Sequence, residues 1–177
     1  MKILTCFEGD SPFEVIFNCT PSNENLQLEY KISGDIKNLL VEEKVDHPQR
    51  EVGLWEKTCF EFFIKNKNSD DYFEFNFSTS LNWNMFIFHK IRGPLTEWST
   101  DLNPISSFEI IEDDSTYFYK VILPWELFPE GLIEEKQMLY SPTTILKTSN
   151  DESFHYSSLH YDNKLDFHRF ECFDQRL

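Results

Sequence analysis

Two carboxylates stand apart from the other acids of this sequence. Glu61 lies within Cys59-Phe60-Glu61-Phe62-Phe63-Ile64 and Glu74 within Tyr72-Phe73-Glu74-Phe75-Asn76-Phe77, each in the middle of an alternating aromatic run. If both runs are strands, alternate side chains point opposite ways. Phe60, Phe62 and Ile64, with Phe73, Phe75 and Phe77, then share one face, and Glu61, Glu74 and Asn76 take the other. Adjacent pairing would bring the two acids within cross-strand reach. Such a face either meets solvent or offers hydrogen-bond acceptors to a ligand. Two carboxylates beside a ring also suit a glycoside hydrolase, but nothing in the spacing separates an acid from a nucleophile. Trp55 follows Gly53-Leu54 at the end of a polar stretch and directly precedes the first run. Its ring can stand at a pocket mouth, where the C–H face of a sugar would stack on it, or it can plug the end of the fold.

The remaining reactive residue types form no known catalytic pattern. The sequence has no GxSxG, HExxH, GxxxxGK[ST] or GxGxxG segment, and only five glycines from which to build a phosphate-cradling loop. His155, His160 and His168 are spaced by five and eight residues, which places them on no single strand face. The acidic pairs Asp70-Asp71 and Asp113-Asp114 read as solvated turn residues, since a Ca²⁺ site needs about six oxygens converging from several loops. Cys6, Cys19, Cys59 and Cys172 lack metal-ligand spacing and read as free thiols. The N-terminal stretch turns acidic before an apolar signal core forms, so the expected location is cytoplasmic.

Sixteen Lys and Arg against 31 Asp and Glu give a net charge of -15, which repels phosphate backbones and anionic lipid, so neither nucleic acid nor membrane is an expected partner. Eighteen Phe, seven Tyr and four Trp supply rings to bury, which excludes disorder. The 177-residue chain reads as one domain over residues 1–177. Alanine is absent while Phe, Tyr, Ile, Val and Thr are plentiful, a composition that favours strands over helices. Short apolar runs alternate with turn signals: strands are expected over residues 13–17, 26–32, 36–41, 58–65, 72–78, 83–91, 108–112, 116–122, 143–147, 154–158 and 170–173, with a helical turn at Pro124-Trp125-Glu126-Leu127. That spacing predicts an all-β antiparallel sandwich, immunoglobulin or jelly-roll-like.

The blocks Gly53-Leu54-Trp55-Glu56-Lys57-Thr58-Cys59-Phe60-Glu61-Phe62-Phe63-Ile64 and Tyr72-Phe73-Glu74-Phe75-Asn76-Phe77-Ser78 are followed by Trp83, Arg92, Val121-Ile122-Leu123-Pro124-Trp125 and Asp166-Phe167-His168. In this order they resemble the DOMON-like relatives of family 9 carbohydrate-binding modules over roughly residues 26 to 173. The resemblance implies a β-sandwich that binds a small ligand, a terminal sugar, without transforming it. It assigns Trp55 to one ring of an aromatic clamp, Glu61 to a hydroxyl acceptor, and Phe167 to the neighbourhood of a second ring where a Trp would stack more area. Glu74 departs from the pattern, because sugar-binding members can carry a basic residue there. The candidate ligand-binding set is therefore Trp55, Glu61, Glu74, Asn76, Trp83, Arg92, Tyr156, Asp166, Phe167 and His168. Asp166 and His168 would turn away from Phe167 in an extended segment and pair with each other, Arg92 or loop amides. The haem-binding branch of the same fold would need Met85 with His89, His155 or His168, and no spacing calls for either haem or Ca²⁺.

Overall fold

The computed structural model describes residues 1–111, 115–129, 132, 137–162 and 164–177. Twelve strands among these residues pair antiparallel into one continuous ladder that folds back on itself. One layer holds β2 (Phe13–Pro21), β3 (Asn25–Gly34), β8 (Ile105–Ile111) and β9 (Thr116–Pro124). The other holds β4 (Cys59–Asn66), β5 (Tyr72–Ser78), β6 (Trp83–Phe88), β7 (Thr96–Glu97), β10 (Met138–Lys147), β11 (Ser153–Ser157) and β12 (Gln175–Arg176). β1 (Lys2–Cys6) joins them: Lys2 to Leu4 pair with β2, then Thr5 and Cys6 pair with β11. The fold is thus the all-β antiparallel sandwich that the alternation implies.

Alternation explains the core between the layers. Phe60, Phe62, Phe73, Phe75 and Phe77 project from β4 and β5 into one apolar cluster with Phe17, Tyr30, Tyr119 and their neighbours from the facing layer. The rings interlock, with Phe60 stacked on Tyr119 at 4.2 Å and tilted on Tyr30 at 5.1 Å. The two buried phenols need partners in this dry layer. Tyr30 donates to the Glu61 carbonyl at 2.6 Å and Tyr119 to the Ser78 carbonyl at 2.8 Å, so each crosses from one sheet to the backbone of the other.

The outer face of β4 and β5 is buried as well. A second cluster of Phe63, Tyr72, Phe86, Phe88 and Ile145 lies there, closed over by Phe167 and Phe173 from the C-terminal segment. Antiparallel sheets commonly leave one face to water; this one does so only at a cavity.

Two expected strands are single 3₁₀ turns. Ile36–Asn38 replaces a strand over 36–41, because the buried side chains Ile36 and Leu39 are three apart, a helical rather than a pleated interval. Phe170–Cys172 likewise sets Phe170 and Phe173 on the same side, both edge-on to Tyr72. β1 and the short β7 and β12 had no expected counterpart, and β10 begins earlier, at Met138. Of the two acidic pairs, Asp70-Asp71 falls in the β4–β5 turn, whereas Asp113-Asp114 lies outside the described residues.

Phe75 is fully buried at the centre of the inner cluster. Phe75→Ala is expected to lose about 3 to 5 kcal/mol in urea unfolding; a loss below about 1 kcal/mol would mean that this face is not the core.

Candidate functional site

The register of β4 on β5 places Glu61 opposite Asn76 and Phe63 opposite Glu74, so the two acids are diagonal neighbours on the covered face. Both are almost fully buried, Glu61 at 3% exposure and Glu74 at 4%. They form the floor of a cavity of about 420 Å³, within the range of small-ligand sites, together with Phe63, Phe88, Ile145 and His155. Trp55, Arg92, Gly93, Leu95 and the run Leu165 to His168 complete the lining.

Each wall has a local cause. Gly53 takes a left-handed φ of 88°, a conformation glycine adopts without strain, and so starts the 3₁₀ turn Leu54–Glu56 that lifts Trp55 to the rim. The Trp55 ring rests edge-on against Phe86 at 6.0 Å. Beyond β6, Arg92 also adopts positive φ, 51°, which is strained for a side-chain-bearing residue. Its amide faces the Tyr72 hydroxyl, and its guanidinium grips Asp166, Nη2 to Oδ1 at 2.8 Å and Nε to Oδ2 at 3.2 Å. Asp166 also accepts the His168 amide at 3.0 Å. Burial opposes charge on Asp166, but the hydrogen bonds from Arg92 and the His168 amide outweigh it and hold the carboxyl below its ordinary range.

His168 is fixed from both sides. Its ring meets Phe63, Tyr72 and Phe88 edge-on, and Nδ1 lies 2.9 Å from the Tyr72 oxygen. The phenol and Nδ1 thus share one hydrogen bond, and Nε2 is the ring nitrogen turned toward the cavity floor. Nε2 faces Glu74 Oε2 at 3.6 Å, beyond hydrogen-bond reach. Burial first, then the nearby Arg92 charge, lower the His168 pKa to about 4, so the ring is neutral at physiological pH.

Burial pushes both glutamates well above the ordinary carboxylate value, and the charge of Glu74 raises Glu61 further. Thr143 donates to Glu61 Oε2 and Asn76 Nδ2 to Glu74 Oε1, each at 2.8 Å, while Glu74 Oε2 has no hydrogen-bond partner. The cavity is thus lined by two proton-hungry carboxyls, a neutral imidazole and several rings.

Seven of the ten candidate residues line this cavity: Trp55, Glu61, Glu74, Arg92, Asp166, Phe167 and His168. Asn76 touches it only through Glu74. Trp83 and Tyr156 do not join them. Trp83 shares the inward face of β6 with Met85, beneath the Arg50 guanidinium at 4.5 Å. Tyr156 points into the same inner core, and its hydroxyl donates to the Phe13 carbonyl at 2.8 Å. Asp166 pairs with Arg92 and with the His168 amide, two of the expected partners, and the His168 ring faces the cavity. Met85 is fully buried between the layers, whereas His155 and His168 lie on the far face of that sheet. His89 is turned outward to Asp71 at 3.1 Å, so these residues do not assemble a Met/His axial pair for haem. Among the described residues no three His, Cys, Asp or Glu side chains are placed to hold a metal ion.

Phe63, Phe88, Thr143, Ile145 and His155 belong to the site without having been candidates. Phe63 shares the parity of Glu61 and could have been read from it. Thr143 and Ile145 come from β10, which pairs with the far earlier β4, and His155 comes from β11, which reaches that sheet only through β10. His155 is held by Glu8, Nδ1 to Oε1 at 2.6 Å.

No protein-family model matches the chain, and no curated protein matches it in sequence. Solved structures share its fold. A proposed carbohydrate-binding protein from Bacteroides uniformis ATCC 8492 aligns with a TM-score of 0.61 at 13% identity, covering 90% of this chain and 76% of that one. A family 9 carbohydrate-binding module from Caldicellulosiruptor kristjanssonii, in complex with glucose, aligns with a TM-score of 0.50 at 7% identity, covering 86% and 72%. The chain is therefore a β-sandwich of the family 9 module type in architecture.

A raised folded-state pKa makes stability complete below the ordinary carboxylate value of 4.5 and withdraws it as pH climbs to about 8, where Glu61 ionises. His168 acts in the opposite sense, losing stability as pH falls from 6.5 toward about 4. A Glu61→Gln/Glu74→Gln variant shares His168 with the wild type and isolates the acids. Its melting temperature relative to wild type should rise between pH 5 and pH 9 by at least about 2 to 4 °C, the shift that 1 kcal/mol makes in a chain of this size. A difference flat with pH would place both carboxyls in ordinary solvent.

Proposed function

We propose that the chain binds a sugar or related polyol in the cavity over β4 and β5 and releases it unchanged. The observation that carries this reading is the convergence of Trp55 and Phe167 with Glu61, Glu74 and His168 on one cavity of about 420 Å³. A pyranose presents apolar C–H faces and a rim of hydroxyls, each both donor and acceptor. Rings suit the faces, carboxyl oxygens accept from hydroxyls, the His168 Nε2 can exchange a hydrogen bond with one, and Arg92 can donate to them. The unpartnered Glu74 Oε2 gains from a hydroxyl the hydrogen bond it lacks. Likeness of fold to the proposed carbohydrate-binding protein and to the glucose-bound module supports the same assignment.

Calorimetric titration with monosaccharides tests the reading. Trp55 is half-buried at the rim, so Trp55→Ala should weaken binding roughly three- to tenfold, the value of one stacked ring, with little change in the urea midpoint. A folded Trp55→Ala protein with undiminished affinity would remove Trp55 from the site. Release of reducing sugar from an oligosaccharide, lost in Glu61→Gln, would instead make the protein a hydrolase.

A further inference from the structure

We propose that the group seated between Glu61 and Glu74 is a primary ammonium, so that the preferred ligand is an amino sugar rather than a neutral one. This rests on the carbohydrate reading above and specifies its ligand class. Two carboxyls, each more than nine-tenths buried, stand diagonally on one face with one hydrogen bond apiece, and Glu74 Oε2 has none. Neutral hydroxyls could occupy those oxygens, but they bring no charge.

The chain itself supplies no counter-charge to the pair. Among the described residues, the one basic group within ion-pair distance of either acid is His168, at 3.6 Å from Glu74, and its ring is neutral. Arg92 is committed to Asp166 through two bonds, and His155 to Glu8. Lys65 shares the outward face of β4 with Glu61, yet its ammonium lies over the Phe170 ring, 3.8 Å from the centroid. A buried carboxylate without a partner is costly, so the empty pair retains a proton near neutral pH. An incoming ammonium carries the missing positive charge and three donors, which fit Glu74 Oε2 and the free acceptor positions of Glu61. The net charge of -15 draws cations toward the chain before contact.

The proton balance of this exchange can be measured. At pH 6 the sugar amine enters as R–NH₃⁺, the protonated pair gives up its proton to solvent, and the complex holds R–NH₃⁺ against carboxylate. Binding should therefore release about one proton per ligand.

Isothermal titration at pH 6 with glucosamine, glucose and N-acetylglucosamine, each in two buffers of different ionisation heat, tests the assignment. Glucosamine is expected to bind at least about tenfold more tightly than the other two, since a charge-assisted hydrogen bond contributes about 1.5 to 3 kcal/mol. Proton release should accompany glucosamine alone. Glu74→Gln should bring the affinities for glucosamine and glucose together; if that variant fails to fold, proton release by the wild type decides the question. Glucose binding as tightly as glucosamine, or glucosamine binding without proton release, overturns the ammonium assignment and leaves the carbohydrate reading standing. Failure of all three sugars to bind overturns both.

Discussion

The structure depends on a sheet that is buried on both faces. β4 and β5 press phenylalanines into the space between the layers and are covered on the outside by Phe167 and Phe173, so every residue of β5 is buried. A polar side chain on the outer face of such a sheet must be hydrogen-bonded, change its protonation state or await a partner. Glu61 and Glu74 do all three in part. Each takes one neutral donor, both hold protons more tightly than ordinary carboxyls, and Glu74 keeps one oxygen without a bond.

The cover is held by polar contacts of its own. Beyond β6, Arg92 takes a strained conformation with its amide toward the Tyr72 hydroxyl and its side chain bound to Asp166. Asp166 accepts the His168 amide, and the Tyr72 hydroxyl holds the His168 ring at Nδ1. This chain of contacts ties the 166–168 segment to the sheet and turns the His168 Nε2 toward the carboxyl floor. The burial that keeps His168 neutral also raises the glutamates, so a proton is placed on the acids rather than on the base.

Much of this was legible in residue alternation. The parity of Phe60-Glu61-Phe62 and Phe73-Glu74-Phe75 separates the inner core from the side chains that face the cavity, and Gly53-Leu54-Trp55 marks the cavity rim because a left-handed glycine opens the turn there. Parity misleads where the partner strand is unknown. Trp83 pairs with Phe77 and so inherits its inward face, and Tyr156 is inward through its pairing with Thr144, neither of which a single strand reveals. Ile36 and Phe170 were misread because apolar residues three apart can be taken for strand ends when the intervening pair is ignored. Whether the outer face was wet or covered was undecidable from β4 and β5 alone, since the cover comes from the last residues of the chain.

The central claim is that the covered face of β4 and β5 is where a ligand binds. ¹⁵N-resolved NMR of the protein during a glucosamine titration tests it most directly. Shifts are predicted to concentrate at the Trp55 indole, the amides of residues 61–63 and 74–76, Arg92 and Gly93, and residues 166–168. Shifts confined to β2, β3, β8 and β9, on the opposite layer, would contradict the account.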